Sequence, residues 1–427
     1  MTLFFVITLL GFVGSAWGQV DCTNAPTSSL KTVCEQLHKW DKNVRETPPV
    51  TAESILSSVI LEESEILEEL GVSNQTDGNM TVGFPPIASN LYECMDLGCL
   101  CQFMGGNGKQ GSNNCILPNG QPLRKAIRKE YRMMTDVERN RFHTALRKLK
   151  DSGEYDNIGI IHSEFAESGG AHSGPGFLPW HREFIKRMEI AIRYIDPTLG
   201  LPYWDSTLDS SLANPEDSIL FSEELMGTTD DSGKVVTGFF ADWKTFNGSL
   251  DIKRDVGANG SLFTGAEINF VMRQTQITQV LAATAPQKGC PVRADWNVLE
   301  YTHGNIHLFV GGDMVDQLTS ANDPIFYIHH CFVDFIWELW RQWRQTRSDR
   351  ENVFPPDLQN CSSSTHFRSA LMRPFDPWKN VDGLSNLYTD NMYEYAFRPF
   401  CSATTECGSK YLFCDRSHGP PRCSSKI

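Results

Sequence analysis

The chain has 427 residues, 40% of them hydrophobic, and a formal net charge of −14 at pH 7. This acid excess argues against nucleic acid and anionic membranes as partners, and no run of basic residues contradicts it. After the N-terminal stretch, no segment is apolar for long enough to span a bilayer, so we expect a soluble mature protein.

The N-terminus predicts secretion. The first residues, MTLFFVITLLGFVGSAWGQ, are apolar and end with small residues at Ala16 and Gly18. This pattern is typical of a signal peptide over residues 1–18, although no Lys or Arg precedes the apolar run. Glycosylation sequons fit a secreted surface and occur at Asn74, Asn79, Asn247, Asn259 and Asn360. We therefore expect a secreted glycoprotein.

The thirteen cysteines are concentrated towards the two ends of the chain. They predict disulfide-stapled segments at 19–120 and 386–427, flanking a core over 121–385 that depends mainly on ordinary packing. An odd count leaves at least one thiol without a partner in the chain. Cys331 lies within a predicted apolar helix and is our candidate for it.

Helical patterns follow in chain order. An acidic amphipathic helix is expected over residues 61–70, and a helical pattern begins at 122–134. The next helix should be capped by Thr135 or Asp136. Two longer helices bracket the core. One has Pro179 in its first turn and carries His181 on its apolar face, and the other starts with Asp323 as N-cap and Pro324 after it.

Six of the eleven histidines fall into two groups on these predicted helices and the glycine-rich loop ESGGAHSGPG. They are His162, His172 and His181, followed by His303, His307 and His330. His303 and His307 are four residues apart, so a helix projects both rings from one face. Buried histidines that bond to carbonyl groups are the simplest alternative for any one position. For all six together a two-metal site is favoured, with copper or catalytic zinc as the metal.

Two longer motifs carry a resemblance to a known family. AHSGPGFLPWHREF, and THGNIHLFVGG followed by NDPIFYIHHCFVDFIWELW, resemble the two copper-binding signatures of tyrosinases. The resemblance covers residues 121–378, and PLRKAIRKEYRMMT and the cysteine-rich flanks look most like secreted invertebrate members of that family. The resemblance implies a mainly α fold, an antiparallel four-helix bundle that holds a type 3 pair of copper ions.

Carried over residue by residue, the resemblance makes His162, His172 and His181 ligands of one copper, and His303, His307 and His330 ligands of the other. At the adjacent pair, the helical face of His329 is the more apolar one, and only the family likeness selects His330. Asp334 has two interpretations of equal weight: it orients an imidazole, or it forms a salt bridge with a residue such as Arg182.

Three further positions concern the pocket. By likeness, Glu300 would hold a water and act through it as the base for a phenol hydroxyl, whereas its alternative is a surface carboxylate in the first turn of a helix. Gly304 stands where many monophenol hydroxylases have asparagine, which counts against phenol hydroxylation more than catechol oxidation. Phe326 is expected to pack beside the metals, and residues 313–321 to border the entrance.

The resemblance implies a secreted oxidase that uses O2 to convert o-diphenols to o-quinones, with hydroxylation of monophenols as a second activity. Small phenols, catechols and the tyrosine or dopa residues of matrix proteins are the expected substrates. The alternatives are an extracellular matrix protein with little catalytic activity and an O2-binding protein with the same fold. A zinc hydrolase is a more distant alternative.

Overall fold

A computed structural model describes residues 21–46, 88–165, 169–292 and 295–427. The expected signal peptide, the acidic helix at 61–70 and the sequons at Asn74 and Asn79 lie outside these ranges. Within the described ranges, no helix is both long and apolar enough to cross a membrane.

The structure is helical, with few and short strands. The α-helices are α1 (Ser28–Glu46), α2 (Leu97–Phe103), α3 (Asp136–Asp151), α4 (Glu154–Phe165), α5 (Phe177–Ile195), α6 (Gly265–Arg273), α7 (Leu299–Val310), α8 (Ile325–Arg344) and α9 (Arg347–Asn352). The strands are β1 (Asn107–Gly108), β2 (Cys115–Ile116), β3 (Ala126–Arg128), β4 (Tyr393–Tyr395), β5 (Leu412–Asp415) and β6 (Arg422–Ser425). They form three two-stranded sheets, in which β1–β2 and β5–β6 are antiparallel and β3–β4 is parallel.

The long helices α5 and α8 form the centre of the core. They pack against each other, α3 and α4 pack against α5, and α6 packs against α8. The apolar stripe predicted on the helix of His181 is buried, since Phe184, Ile185 and Met188 are each 0% exposed. Burying each such side chain is worth roughly 1.5–3 kcal/mol, so this stripe fixes the position of α5.

The predicted helix starts are correct to within two residues. Thr135 caps α3 by accepting from the backbone N–H of Glu138, as expected. Helix α8 begins at Ile325, one residue later than predicted. The Asp323 carboxylate still accepts from the Ile325 N–H at 3.0 Å, but it also pairs with buried Arg254 at 2.6 Å.

The helix predicted over 122–134 is wrong. Residues 126–128 form β3, and a 3-10 turn follows at Tyr131–Met133. Strand β3 pairs with β4, more than 260 residues away, in the register Ala126↔Tyr393 to Arg128↔Tyr395. Ala126 and Arg128 are buried while Ile127 is 48% exposed, the alternation of a strand. A partner this remote in sequence overrides local helix propensity, and no local pattern reveals it.

A buried ion network joins α5, α8 and β3. It contains three guanidinium groups and three carboxylates, which pair as Arg128 with Glu189 at 2.8 Å, Arg182 with Asp334 at 2.6 Å and Arg341 with Glu338 at 2.5 Å. All six side chains are at most 3% exposed. Because opposite charges are equal in number, each buried charge is compensated, and loss of one would leave an uncompensated neighbour.

Six disulfides account for twelve of the cysteines, and Cys331 is free and buried, as predicted. The pairs are Cys22–Cys34, Cys94–Cys99, Cys101–Cys115, Cys290–Cys361, Cys401–Cys414 and Cys407–Cys423. Five of them close loops within one end of the chain. Only Cys290–Cys361 joins segments 71 residues apart, so packing rather than covalent bonding holds the flanking segments to the core.

Candidate metal centre

Four helices and one loop bring seven histidines together. His162 lies on α4, His181 on α5, His303 and His307 on α7, and His329 and His330 on α8. His172 lies on the glycine-rich loop that precedes α5. The loop follows this path because Cβ atoms at Gly170 and Gly176 would meet backbone oxygens at 2.7 and 2.4 Å, so only glycine fits there.

The first group consists of the residues His162, His172 and His181, which are 1%, 4% and 3% exposed. One ring nitrogen from each lies within 4.8 Å of those of the other two. The ring centroids are 5.0–5.5 Å apart. Three imidazoles at this spacing can direct their nitrogens at one ion.

The second group contains the other three predicted histidines and also His329, again with nitrogens within 4.8 Å of one another. As the four-residue spacing predicts, the rings of His303 and His307 project from the same side of α7, with centroids 4.7 Å apart and planes at 74° to each other. The Nε2 atoms of His307 and His330 lie 3.2 Å apart.

The two groups adjoin through His330. Its ring stacks on that of His181, with centroids 4.3 Å apart and planes 9° from parallel. The His329 ring instead stacks on His303 and contacts Trp204 and Phe263, on the side away from the first group. Helical periodicity alone left these two histidines unresolved, but in the fold only His330 lies between the groups.

Backbone carbonyls orient four of the rings through Nδ1. The donor–acceptor pairs are His162 with Gln317 at 3.0 Å, His181 with Phe177 at 2.9 Å, His303 with Glu300 at 2.8 Å and His307 with Met314 at 2.9 Å. A proton on Nδ1 leaves the Nε2 lone pair free, and the Nε2 atoms of His162, His181 and His303 are buried without a hydrogen-bond partner. Buried ring nitrogens rarely remain unpaired, and this pattern fits metal ligation.

The surroundings keep the rings neutral. Burial lowers the pKa of His162 to about 3 and that of His307 to about 4, and the other rings of both groups are shifted in the same direction by burial and by one another. A neutral imidazole is the form that binds a metal. The donor set is all nitrogen, without thiolate or carboxylate, and it suits copper.

Asp334 contacts arginine and tyrosine side chains and, among the described residues, no histidine. Its Oδ1 accepts from Arg182 Nε at 2.6 Å, and its Oδ2 accepts from the hydroxyls of Tyr393 and Tyr395 at 2.9 and 2.6 Å. Of the two interpretations of Asp334, the salt bridge with Arg182 is the correct one. Backbone carbonyls orient the imidazoles instead.

Glu300 is buried beside the histidines, at 4% exposure, and lines the same cavity. The alternative of a surface carboxylate is therefore wrong. Its Oε1 accepts from the Ser173 N–H at 2.5 Å and its Oε2 accepts from the Thr284 hydroxyl. Burial outweighs these hydrogen bonds and raises the pKa of Glu300 to about 8, which gives a group able to hold or release a proton near neutral pH.

Gly304 and Phe326 both adjoin the histidines. A Cβ at Gly304 would lie 2.7 Å from a methyl carbon of Val33 on α1, so a larger residue does not fit while α1 is in place. The Phe326 ring lies 4.2 Å from His330 and 4.8 Å from His162. The 313–321 segment contributes Val315, Gln317 and Ser320 to the cavity, as expected for a border.

Sequence reasoning missed His366, to which it gave no role. This histidine is 1% exposed, and its Nδ1 accepts from the Gly176 N–H at 3.2 Å. Cβ atoms at Gly174 and Gly176 would both approach its ring to 3.0 Å. His366 thus supports the loop that carries His172, and only a fold that brings residue 366 beside that loop reveals it.

Residues 152–343 match the family model described as the common central domain of tyrosinase. A putative tyrosinase-like protein of Caenorhabditis elegans is 49% identical over 99% of this chain, which spans 58% of that relative's length. The tyrosinase of Streptomyces antibioticus is 32% identical over 49% of this chain and 81% of its own.

Among solved structures, a polyphenol oxidase from Thermothelomyces thermophila aligns over 64% of this chain and 89% of its own, at 19% identity and a TM-score of 0.49. The sequence matches, together with the two histidine groups, give the assignment. The chain belongs to the tyrosinase family of type 3 proteins, whose cofactor is a pair of copper ions.

Proposed function

We propose that this chain is a secreted phenol oxidase that oxidises o-diphenols to o-quinones with O2. One copper would be held by His162, His172 and His181, and the other by His303, His307 and His330. The observation that carries this proposal is the stacking of His181 on His330, because the two histidine groups are then next to each other in a buried interior.

The copper pair supplies electron transfer: two diphenol molecules give four electrons and four protons to one O2, forming two quinones and two waters. The protein positions the six imidazoles beforehand, four of them through backbone carbonyls, so they need not reorganise when the metals change oxidation state. The Phe326 ring packs against His162 and His330 and helps to exclude bulk water from the centre.

Glu300 is the acid–base group in this proposal. Its carboxyl lines the cavity between the histidine groups, where it can accept the proton of a phenol hydroxyl directly or through one water. The hydrogen bonds from Ser173 and Thr284 hold the carboxyl in one orientation. Hydroxylation of monophenols is a secondary activity, since Gly304 provides no side chain to position a water.

The remaining features of the proposal concern the whole protein. The six disulfides favour an oxidising compartment, in agreement with secretion and with removal of residues 1–18. We place the catalytic core at 121–385, with the histidine-bearing helices α4, α5, α7 and α8 as an antiparallel four-helix bundle. Phenolic small molecules and tyrosine or dopa residues of matrix proteins are the proposed substrates.

One observation favours a second candidate. The cavity beside the histidines has a volume of 20 Å³, room for about one water. A centre closed in this way would bind O2 without oxidising phenols, as in an O2-binding protein or a matrix protein with little activity.

Copper content and turnover separate these functions. We expect two coppers per chain and quinone formation from catechol, and at most one copper with no turnover in a His307→Ala variant. His418→Ala is the control, because that side chain is 75% exposed and lies outside both groups. Both variants are repeated with Trp40→Ala, which removes a large side chain that lines the cavity. Turnover that survives His307→Ala in either background contradicts the assignment, and two coppers without turnover in either background favour the O2-binding alternative.

A further inference from the structure

Helix α1 lies across the metal centre. Leu30, Val33 and Leu37 share one of its faces and are 8%, 3% and 1% exposed, while Lys39 on another face is exposed. This apolar face packs on α7, the helix of His303 and His307, and it forms a separate small hydrophobic cluster with Tyr301, Leu308 and their neighbours. The helix is therefore seated on the outer side of the second histidine group.

Trp40 continues this apolar face and reaches the first histidine group. Its ring lies 4.9 Å from that of His172, at an angle of 53°. Val33, Gln36, Leu37 and Trp40 line the same 20 Å³ cavity as the histidines and Glu300. A cavity that holds a benzene ring measures about 150 Å³. A phenol ring thus has no room while α1 is seated, and the Trp40 indole is the aromatic ring nearest to His172 on that side.

The hydrogen bonds that tie α1 to the rest of the protein include three to or from remote segments. The Ser173 hydroxyl donates to the Leu37 carbonyl at 2.7 Å, Gln36 Nε2 donates to the Val315 carbonyl at 3.1 Å, and the Arg45 guanidinium donates to the Gln359 carbonyl at 2.9 Å. The disulfide of α1 joins Cys34 to Cys22, within the same segment, and so makes no covalent link to the core. Helix α1 can therefore move away from the metal centre without breaking a covalent bond.

The C-terminal tail does not share this role. Its strands pack elsewhere: β6 lies beside the turn at Ser206–Leu208, and Tyr411 bonds to Arg139 on α3. None of the described residues after 386 lines the cavity. The described segment that closes the centre is therefore the N-terminal helix.

We propose that α1 is an inhibitory plug, which excludes phenols from the centre until it is displaced, with Leu37 and Trp40 in the place of the substrate ring. This inference rests on the proposed function, because an oxidase needs an access route for its substrate. The apparent activity of the resting protein would then be proportional to the fraction of molecules in which α1 is displaced.

Weakening the plug should raise activity. The variant Leu37→Ala/Trp40→Ala removes both side chains from the cavity, and we expect kcat/KM for catechol to rise roughly tenfold or more. The matched control is Glu35→Ala/Lys39→Ala, two changes at exposed positions of the same helix that should leave kcat/KM unchanged. An unchanged or lower kcat/KM in the first variant, with both coppers bound, would overturn the proposal.

Locking the plug is the converse test. A Cβ at Gly304 lies 3.4 Å from Val33 Cβ, close to the roughly 3.5–4.5 Å that disulfides span. Val33→Cys/Gly304→Cys should therefore bond α1 to α7. The control is Val33→Ala/Gly304→Ala. It removes the same two methyl groups of Val33 and adds the same Cβ at residue 304, but it cannot form the bond. We expect turnover in the control and none in the bridged protein, whose bridge is verified by mass spectrometry.

A second readout does not depend on activity. The acylation of His172 by diethyl pyrocarbonate in the metal-free proteins, followed by peptide mass spectrometry, reports access to the cavity. The rate should be lowest in the bridged protein and highest in Leu37→Ala/Trp40→Ala. Equal rates in all variants, or full turnover in the bridged protein, refute the plug. Ordered rates without copper binding or turnover would support the plug and refute the oxidase.

Discussion

Asp334→Asn tests how the ion network supports the centre. The amide keeps the size of the side chain but removes one charge, so three buried guanidinium groups face two carboxylates. Removing one partner from a buried ion pair costs about 3–5 kcal/mol. The amide has one acceptor oxygen instead of two, so it cannot accept both from Arg182 and from Tyr393 and Tyr395, contacts that tie α5 and β4 to α8.

The size of the effect follows from the length of the chain. Unfolding entropy is about 2.1 cal/mol/K per residue, which for 427 residues is about 0.9 kcal/mol/K. The expected loss of 3–5 kcal/mol therefore lowers Tm by about 3–6 °C. Thermal unfolding of the copper-free protein, followed by circular dichroism at a fixed scan rate, measures this shift.

Acid should weaken the wild-type network in the same way. Burial opposes ionisation of Asp334, but the Arg182 and Arg128 guanidiniums outweigh burial and hold its pKa below the usual value. A depressed carboxyl pKa contributes stability above the unfolded value, about 3.9, and this stability is lost as the pH falls further. Because the amide of Asp334→Asn does not titrate, this variant should not lose that part of its stability in acid.

The control is Asp231→Asn, at an exposed position, which should leave Tm unchanged. The reasoning would be refuted if Asp334→Asn kept the wild-type Tm but lost a copper. That pair of results would mean that Asp334 acts on an imidazole rather than on the arginines.

Two further predictions concern histidines outside the centre. Burial lowers the pKa of His143 to about 3, below its unfolded value, so the stability it contributes is present above about pH 6.5 and falls by up to about 1.4 kcal/mol per pH unit below it. Tm measured against pH should therefore fall less steeply in acid for His143→Phe than for the wild type, and parallel curves would contradict this. His366→Leu removes the acceptor of the Gly176 N–H and should weaken one copper site roughly tenfold in a chelator competition, whereas unchanged affinity for both coppers would show that the His172 loop needs no such support.

Local sequence patterns predicted those features whose causes are local. The caps at Thr135 and Asp323, the four-residue spacing of His303 and His307, and the buried face of His181 all depend on neighbours within one helix. Helical geometry fixes such relations, so they can be read from the sequence directly. The family likeness added the choice of His330.

Contacts between remote segments could not be predicted in this way. Strand β3 forms because residues 393–395 pair with it, and Asp334 turns towards Arg182 because α5 and α8 pack there. His366 beside the His172 loop is a third example. Each needs two segments that are far apart in the chain, and no periodicity within either one indicates the other.

The sequence by itself determined the family, through its two motifs, the starts of α3, α5 and α8, and the two groups of histidines, because motif spacing and helical periodicity are local. Tertiary structure alone decided that the groups face each other through His181 and His330, and that α1 places Trp40 over His172. The physical reason is that an apolar helix face can be buried against many surfaces. Shape complementarity, here the fit of Val33 over Gly304, selects one of them.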